Sequence, residues 1–144
     1  MAPKIVCVAG PTACGKTTLG VMLARKFNGE VVSVDSMQIY RGMTVGTAAP
    51  TEEEMQGIPH HMIAVADPSE QWSAAEYVSR ATPVVDGILS RGKLPVLVGG
   101  TGLYVASVTE GYVLSDVAPD LAYRAELEKL TTPELYARVR ALDP

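Results

Sequence analysis

The sequence is poor in cysteine, in aromatic residues and in long apolar runs, and each shortage excludes a class of protein. Its 144 residues include two cysteines, Cys7 and Cys14, which are too few for a disulfide scaffold and whose spacing does not suggest a metal site. No apolar stretch approaches the ~18 residues of a membrane-spanning helix, and no charged leader precedes an apolar run. We therefore expect a soluble, cytoplasmic protein with no membrane partner.

The sequence also lacks an excess of basic residues. It carries 12 Lys and Arg against 16 Asp and Glu, a formal net charge of −4, whereas an RNA-binding domain is usually basic. Bulk charge therefore argues mildly against a nucleic-acid partner. Hydrophobic residues make up 47% and aromatic residues 6%, which is typical of a globular domain with a mainly aliphatic core.

Apolar runs alternate along the chain with segments of helical periodicity. Four short apolar segments have the composition of buried strands: 4–9, 30–34, 62–65 and 95–98. Segments with helical spacing or a capping signal predict helices: 19–27, 51–56, 73–89, 103–108 and two after 119. Pro83 is expected to kink or break its helix. The alternation predicts an α/β fold with a parallel sheet and right-handed crossovers.

The clearest motif lies between the first strand and the first helix, and it has the P-loop pattern G-x-x-x-x-G-K-[ST]. It comprises Gly10, Pro11, Thr12, Ala13, Cys14, Gly15, Lys16 and Thr17. The glycines let backbone N–H groups curl around a phosphate chain, and the helix N-terminus adds a partial positive charge. Lys16 would contact phosphate oxygens, and the Thr17 hydroxyl would hold Mg²⁺. The motif predicts that a di- or triphosphate binds here.

Asp35 follows the second predicted strand, so we expect its side chain at the carboxyl edge of the sheet beside the P-loop. Two roles are open for this carboxylate: an acid linked to Mg²⁺, or a base and hydrogen-bond acceptor for an incoming nucleophile. The fourth strand ends in Gly99 and Gly100, and not in the acid that P-loop ATPases generally need at a strand end. This absence weakens an ATPase interpretation without excluding it.

Further segments extend the P-loop into a longer ordered series. They are 10–17, 35–40, 46–50, 57–61, 73–77 and 99–104, and they read GPTACGKT, DSMQIY, GTAAP, GIPHH, SAAEY and GGTGLY. Over about residues 5–110 this series resembles the tRNA dimethylallyltransferase family. The resemblance implies a P-loop NTPase-like parallel sheet flanked by helices. It also implies a catalytic core over 1–115 and the start of a helical tRNA-binding insertion over 116–144.

The resemblance implies a particular chemistry. The P-loop would grip the diphosphate of dimethylallyl diphosphate rather than ATP, and the N6 amine of an adenosine next to the anticodon would attack the prenyl carbon. Asp35 would act as the base, with Lys16 and Thr101 as further catalytic residues. Positions that match tRNA contacts are Asp35, Ser36, Met37, Gln38, Thr101 and Arg124. Mg²⁺ would be the cofactor, the anticodon stem-loop of tRNA the partner, and the enzyme a monomer.

Family members continue for roughly as long again, and the resemblance implies that the remainder supplies a further arginine for the diphosphate and most of the basic tRNA surface. We therefore expect the 144 residues alone to be weakly active or inactive. An adenylate isopentenyltransferase and a P-loop small-molecule kinase stay open as alternatives; the charged tail beyond Pro119 disfavours the first. His60 and His61 are expected to be structural, because neighbours on a strand point to opposite faces and cannot easily share one metal ion.

Overall fold

A computed structural model describes residues 4–111 and 119–143 of the chain. Within those ranges the helices and strands follow one another as β1 (Val6–Ala9), α1 (Lys16–Lys26), β2 (Gly29–Ser33), α2 (Glu52–Met55), β3 (His60–His61), α3 (Ala74–Ser90), β4 (Leu94–Gly99), α4 (Gly102–Glu110), α5 (Leu121–Leu127) and α6 (Thr132–Leu142). The chain divides into two compact units, Met1–Leu114 and Ser115–Pro144. None of the described helices is long and apolar enough to cross a membrane.

The strands form one sheet in the order β1-β4-β2-β3, and every neighbouring pair is parallel. Val96 of β4 is in register with Val6 of β1 on one side and with Val31 of β2 on the other. Parallel strands cannot be joined by a hairpin, so a helix lies in each connection: α1 between β1 and β2, α2 between β2 and β3, and α3 between β3 and β4. The predicted parallel α/β fold is confirmed.

Two aliphatic layers cover the faces of the sheet. On one face α1 packs over a cluster formed by Val8, Ala24, Val31, Val96 and Val98. On the other face α3 and α4 pack over a larger cluster: Val32, Val34, Ile39, Met62, Tyr77, Ala81, Val85, Ile88, Leu97 and Tyr104. Each fully buried aliphatic side chain contributes about 1.5–3 kcal/mol, so these layers supply most of the favourable folding energy. A Cβ on Gly20 would lie 2.5 Å from Val98, which shows how closely α1 approaches the sheet.

The third strand was predicted in the wrong place. The structure has it at His60–His61, where it pairs with Val31 and Val32 of β2. The predicted segment 62–65 cannot extend a strand, because Met62 (φ 61°) and Ala64 (φ 52°) adopt the left-handed backbone region. The amides of Ala64 and Val65 bond instead to the carbonyls of Gln38 and Ile39. The other three predicted strands are confirmed to within two residues at each end.

Helix α3 runs through Pro83 without a break. Proline lacks the N–H that would bond to the Ser79 carbonyl four residues earlier. Both Pro83 and Ser79 lie on the exposed side of the helix, so water can satisfy that carbonyl. The capping signal at Thr51 is confirmed, since its hydroxyl accepts from the Glu54 N–H while the Glu54 carboxylate accepts from the Thr51 N–H.

Glu30 is a buried acid at the start of β2, with a relative exposure of 4%. Its carboxylate accepts hydrogen bonds from Nε2 of His61 at 2.7 Å, from Arg91 at 2.8 Å and from Lys93 at 2.9 Å. Burial by itself raises the pKa of Glu30, but the bonds from Lys93, His61 and Arg91 outweigh it and lower that pKa to about 2. The cluster ties β2, β3, the end of α3 and β4 together on the α3 side of the sheet.

The second unit consists of two short helices in its described part. Asp120 caps α5 by accepting from the Tyr123 N–H at 2.9 Å, and Arg124 lies in the same helix. Thr131 and Glu134 form a capping box at the start of α6, with Pro133 in the first turn. The predicted helices after residue 119 are confirmed.

Candidate functional site

The P-loop reverses the chain between β1 and α1 with two residues in the left-handed region, Ala13 (φ 62°) and Gly15 (φ 82°). Glycine adopts this conformation without a Cβ clash, which explains its place immediately before the helix. Gly15 is the N-cap of α1 and has no side chain to cap the helix, and the first turn contains no acidic residue. The first-turn N–H groups and their partial positive charge are therefore available to an anion.

Lys16 carries the positive charge of the loop. Its Nζ donates to the carbonyl of Pro11 at 2.5 Å and lies 3.9 Å from Sγ of Cys14. The half-buried side chain thus folds back over the loop backbone. Its ammonium group lies beside the turn whose backbone N–H groups are available to an anion. A compact ammonium group in this position suits phosphate oxygens.

Asp35 lies two residues beyond the end of β2, at the carboxyl edge of the sheet. Its Oδ1 accepts from the backbone N–H of Met37 at 2.8 Å and of Gln38 at 3.3 Å. Among the described residues, both hydrogen bonds to this carboxylate use Oδ1, so the turn fixes the carboxylate while Oδ2 remains for a ligand. Asp35 therefore both stabilises its own turn and presents an oxygen to the site.

The turn between β4 and α4 holds Asp35 from the other side. The backbone N–H of Thr101 donates to the carbonyl of Val34 at 3.1 Å, and its Oγ1 accepts from the N–H of Ser36 at 3.0 Å. Gly99 lies against Val34 so closely that a Cβ would overlap the Val34 carbonyl. A Cβ on Gly100 would lie 3.5 Å from the carbonyl oxygen of Gly10. Gly99 therefore lets the end of β4 approach the Val34 backbone closely, whereas the contact at Gly100 is an ordinary van der Waals contact.

Two stacked tyrosines support this region from below. Oη of Tyr77 donates to the carbonyl of Ser33 at 2.7 Å, and the ring of Tyr104 stacks on Tyr77 with centroids 3.9 Å apart. Burial raises the pKa of both phenols, and for Tyr104 the neighbouring Tyr40 and Asp35 raise it further. Asp35 thus has a neutral phenol, and not a second anion, as its aromatic neighbour.

These elements enclose a cavity of about 580 Å³, which we call the P-loop cavity. Its walls come from the P-loop, from the end of β2, from the segment after Asp35 and from α2 and β3. The lining residues are Thr12, Ala13, Cys14, Gly15, Lys16, Thr17, Thr18, Val31, Ser33, Asp35, Met37, Gln38, Met43, Gly46, Thr47, Ala48, Pro50, Glu54, His60, Ile63, Val98 and Gly99. The volume falls within the range of small-molecule sites, and a cationic loop and a fixed carboxylate share one space.

Most of the residues predicted from the sequence come together at this cavity. Thr12 through Thr17, Asp35, Met37 and Gln38 line it, whereas Gly10 and Pro11 lie behind the lining as part of the loop. Ser36 and Thr101 contact each other beside Asp35 without lining the cavity themselves. Arg124 lies in α5 of the second unit, and its assignment to tRNA stays a prediction.

Among the lining residues that were not predicted to belong to the site, two have ionisable side chains. Glu54 was assigned only to its capping box, which gives no signal that its carboxylate also borders a cavity. His60 was expected to be structural; its ring nitrogen Nδ1 bonds to the carbonyl of Ile58 at 2.8 Å, and its side chain lines the cavity. Burial lowers the pKa of His60, the Ile58 carbonyl opposes this, and His61 lowers it further. His60 is therefore a neutral wall residue.

The two histidines do not share a metal ion. His60 faces the P-loop cavity, while His61 bonds to Glu30 on the other face of the sheet. No group of three or more His, Cys, Asp or Glu side chains that could hold a metal occurs in residues 4–111 or 119–143. The Thr17 side chain lines the cavity, and its hydroxyl oxygen suits Mg²⁺, which usually takes one or two protein ligands and completes its shell with phosphate oxygens and water. The site fits an ion brought in mainly by a diphosphate.

A parallel sheet whose first strand leads through a Gly-Lys-Thr phosphate loop into a helix defines a P-loop protein of the NTPase-like α/β class. Within that class, the sequence model of the IPP transferase family matches residues 38–144. The chain belongs to the IPP transferase family.

Named relatives and solved structures agree with this membership. The tRNA dimethylallyltransferase of Halalkalibacterium halodurans is 50% identical over 148 residues, which cover 100% of this chain and 47% of that protein. The tRNA dimethylallyltransferase of Streptococcus thermophilus is 49% identical over 145 residues, covering 99% of this chain and 48% of that protein. The chain therefore spans about half the length of the curated relatives it matches.

Two crystal structures extend the comparison to the fold. The full-length tRNA isopentenylpyrophosphate transferase from Bacillus halodurans superimposes with a TM-score of 0.77 at 50% identity, over 98% of this chain and 48% of that one. A eukaryotic dimethylallyltransferase acting on tRNA gives a TM-score of 0.76 at 34% identity, over 93% of this chain and 31% of that one. The P-loop NTPase-like class assigned from the sheet is the class of these structures.

Proposed function

We propose that this protein transfers a dimethylallyl group from dimethylallyl diphosphate to N6 of an adenosine next to the anticodon in tRNA. The bond between N6 and the prenyl carbon forms, the bond between that carbon and the diphosphate oxygen breaks, and one proton leaves N6. The observation that carries the proposal is the P-loop cavity, where the phosphate-binding loop and the fixed carboxylate of Asp35 border one space. The names of the relatives supply the substrate class.

The donor would bind through its diphosphate. The N–H groups at the start of α1, together with the ammonium of Lys16, would contact the phosphate oxygens. Negative charge on the diphosphate increases as the carbon–oxygen bond breaks, so fixed positive groups at this end stabilise the transition state more than the ground state. Apolar lining residues such as Val31, Met43 and Ile63 provide a surface compatible with a five-carbon tail.

Asp35 would act on the acceptor. An adenine amine is a weak nucleophile, and a positioned carboxylate that takes its proton increases its reactivity. Oδ1 is already committed to the turn, so Oδ2 is the oxygen that would accept the proton from N6. Thr101 would keep this carboxylate in place through Ser36 and Val34.

Mg²⁺ is the cofactor we propose, with the Thr17 hydroxyl as the protein oxygen that would hold it beside the diphosphate. The ion would supply additional positive charge for the leaving group. As the acceptor we propose a tRNA anticodon stem-loop, and as the compartment the cytoplasm. We further propose that the protein acts as a monomer.

The test is transfer of labelled dimethylallyl from its diphosphate to unmodified tRNA by a protein that carries the complete reading frame. We expect label on the tRNA with the wild-type protein and none with Asp35→Ala. A protein that instead consumes ATP and phosphorylates a small molecule would be a P-loop kinase, and prenylation of free adenine nucleotides without tRNA would identify an adenylate isopentenyltransferase. Either outcome would contradict the proposal.

A further inference from the structure

We infer that Gln38 is a positioning residue for the prenyl diphosphate, because its carboxamide joins the turn over 43–49 to the floor of the P-loop cavity. The inference rests on the proposed function, since it assigns to Gln38 a role in binding the donor of that reaction. The resemblance had assigned Gln38 to tRNA contact. That assignment stays a prediction, while in the structure both ends of the carboxamide bond to protein groups at the cavity.

The floor contact is made by the oxygen of the carboxamide. Oε1 of Gln38 accepts from Oγ of Ser33 at 2.9 Å, and Ser33 is a buried residue of β2 that lines the cavity. The backbone of Gln38 is also held at both ends. Its N–H donates to Asp35 and its carbonyl accepts from the N–H of Ala64 at 2.9 Å. The backbone that carries the Gln38 side chain is therefore fixed.

The other end of the carboxamide reaches the turn. Nε2 of Gln38 donates to the carbonyls of Thr47 at 3.4 Å and Ala48 at 3.3 Å. Thr47 and Ala48 line the cavity, as do Met43 and Gly46 of the same turn. One planar amide thus spans the space between the cavity floor and this wall.

Few bonds connect the turn over 43–49 to the rest of the core. Its internal backbone bonds run from the Thr47 N–H to the Met43 carbonyl at 3.1 Å, from the Ala48 N–H to the Val45 carbonyl at 3.3 Å and from the Ala49 N–H to the Thr44 carbonyl at 3.0 Å. The Thr47 hydroxyl also donates to the Met43 carbonyl at 2.9 Å and to the Thr44 carbonyl at 3.5 Å. Val45 at its tip is 97% exposed, so the turn buries little apolar surface. In the described part of the chain, two hydrogen bonds join residues 42–50 to the rest of the core, and Gln38 donates both.

An amide suits this position for a chemical reason. One end must accept from a hydroxyl and the other must donate to two carbonyls, and glutamine supplies both without a charge. Methionine has similar length but neither function. Glutamate would set a carboxylate against the carbonyls of Thr47 and Ala48, where it has no proton to donate.

The experiment compares Gln38→Met, Gln38→Glu and a control in the same turn, Thr44→Ala, in a protein with the complete reading frame. Thr44 does not line the cavity, and its hydroxyl makes no hydrogen bond among the described residues. Dimethylallyl diphosphate is titrated calorimetrically into each protein, and hydrogen exchange of the amides over 44–49 is followed by mass spectrometry. The KM for tRNA is measured alongside.

We expect Gln38→Met to weaken donor binding about three- to tenfold and to speed exchange over 44–49, since one or two modest hydrogen bonds are lost. Gln38→Glu should weaken it at least as much, and Thr44→Ala should leave both quantities unchanged. An unchanged donor Kd in Gln38→Met, with only the KM for tRNA raised, would overturn the inference in favour of tRNA contact. A wild-type protein that does not bind the donor would instead contradict the proposed function, and the exchange measurement would still test the link from Gln38 to the turn.

Discussion

The hydroxyl of Thr101 accepts a hydrogen bond from the backbone N–H of Ser36 at 3.0 Å. Thr101 is the N-cap residue of α4, yet its side chain makes no bond to the first turn of that helix. An N-cap threonine ordinarily accepts from such a first-turn N–H. Here the hydroxyl is directed at the residue that follows Asp35, while the Thr101 N–H holds the carbonyl of Val34 that precedes it. Thr101 therefore stabilises the turn that presents the carboxylate.

We predict that Thr101→Val lowers kcat for prenyl transfer about ten- to hundredfold, because a small displacement of a catalytic group has effects of this size. Valine keeps the shape of threonine but cannot accept from Ser36. The donor Kd should change little, since Thr101 does not line the P-loop cavity. Steady-state kinetics with calorimetry of the donor would separate the two quantities. Thr101→Ser, which keeps the hydroxyl, should retain most of the activity; equal losses in both variants would contradict a role for the Ser36 bond.

Two substitutions of Asp35 can separate its role in stabilising the turn from its role as the base. In Asp35→Asn the carbonyl oxygen of the amide can still accept from Met37 and Gln38, so the turn should persist. The amide cannot take a proton, and we expect transfer to fall about a hundredfold or more, the usual contribution of a general base. Asp35→Ala should lose the turn as well. Thermal denaturation should therefore give Asp35→Asn a Tm closer to that of the wild-type protein than the Tm of Asp35→Ala. Both variants should lose transfer in the labelled assay.

The sequence allowed the fold and the centre of the site to be predicted because both depend on local signals. The P-loop has fixed residues at fixed spacing, and Asp35 follows a strand whose composition is unambiguous. The third strand was misplaced because Met62-Ile63-Ala64-Val65 has the composition of a strand. In the structure the N–H groups of Ala64 and Val65 instead bond to the carbonyls of Gln38 and Ile39. No local pattern contains those partners.

The same reasoning explains which site residues were missed. His60 and Glu54 border the cavity because β3 pairs with β2 and because α2 lies next to α1, and neither relationship is written in the residues themselves. The use of Gln38 as a link likewise depends on a turn that begins several residues later. Tertiary neighbours, and not residue types, decide these roles.

We predict different outcomes for Gly99 and Gly102, which lie at the two ends of the turn between β4 and α4. A Cβ on Gly99 would overlap the Val34 carbonyl, so Gly99→Ala must move β4 away from β2 and should lower the free energy of unfolding by about 1–3 kcal/mol. A Cβ on Gly102 meets nothing within 4 Å, and this residue begins α4. Gly102→Ala should therefore be neutral or stabilise by about 0.4–1 kcal/mol through the unfolded chain. Urea denaturation of both variants gives the comparison, and equal destabilisation would contradict it.

The last prediction concerns the buried carboxylate of Glu30, whose pKa is lowered to about 2 from an ordinary 4.5. An acid with a lowered folded-state pKa stabilises the protein above its unfolded pKa, and this contribution is lost as the pH falls toward the folded value. Glu30→Gln should therefore lower the free energy of unfolding by about 1–3 kcal/mol at neutral pH, because three charged hydrogen bonds weaken. The difference between variant and wild type should shrink as the pH falls from about 4.5 to about 2.

The control for Glu30 is Glu76→Gln, which breaks an ion pair with Arg80 whose side chains are 41% and 47% exposed. Solvent screens such a pair, so the change should stay below about 1 kcal/mol at neutral pH. Urea denaturation of the three proteins across the acid range gives the two difference curves, and the acids that all three share cancel in the subtraction. A Glu30→Gln difference that stays constant through the window would mean that the lost stability comes from packing and not from the charge. A difference that shrinks would assign it to the bonds that His61, Arg91 and Lys93 donate to the carboxylate.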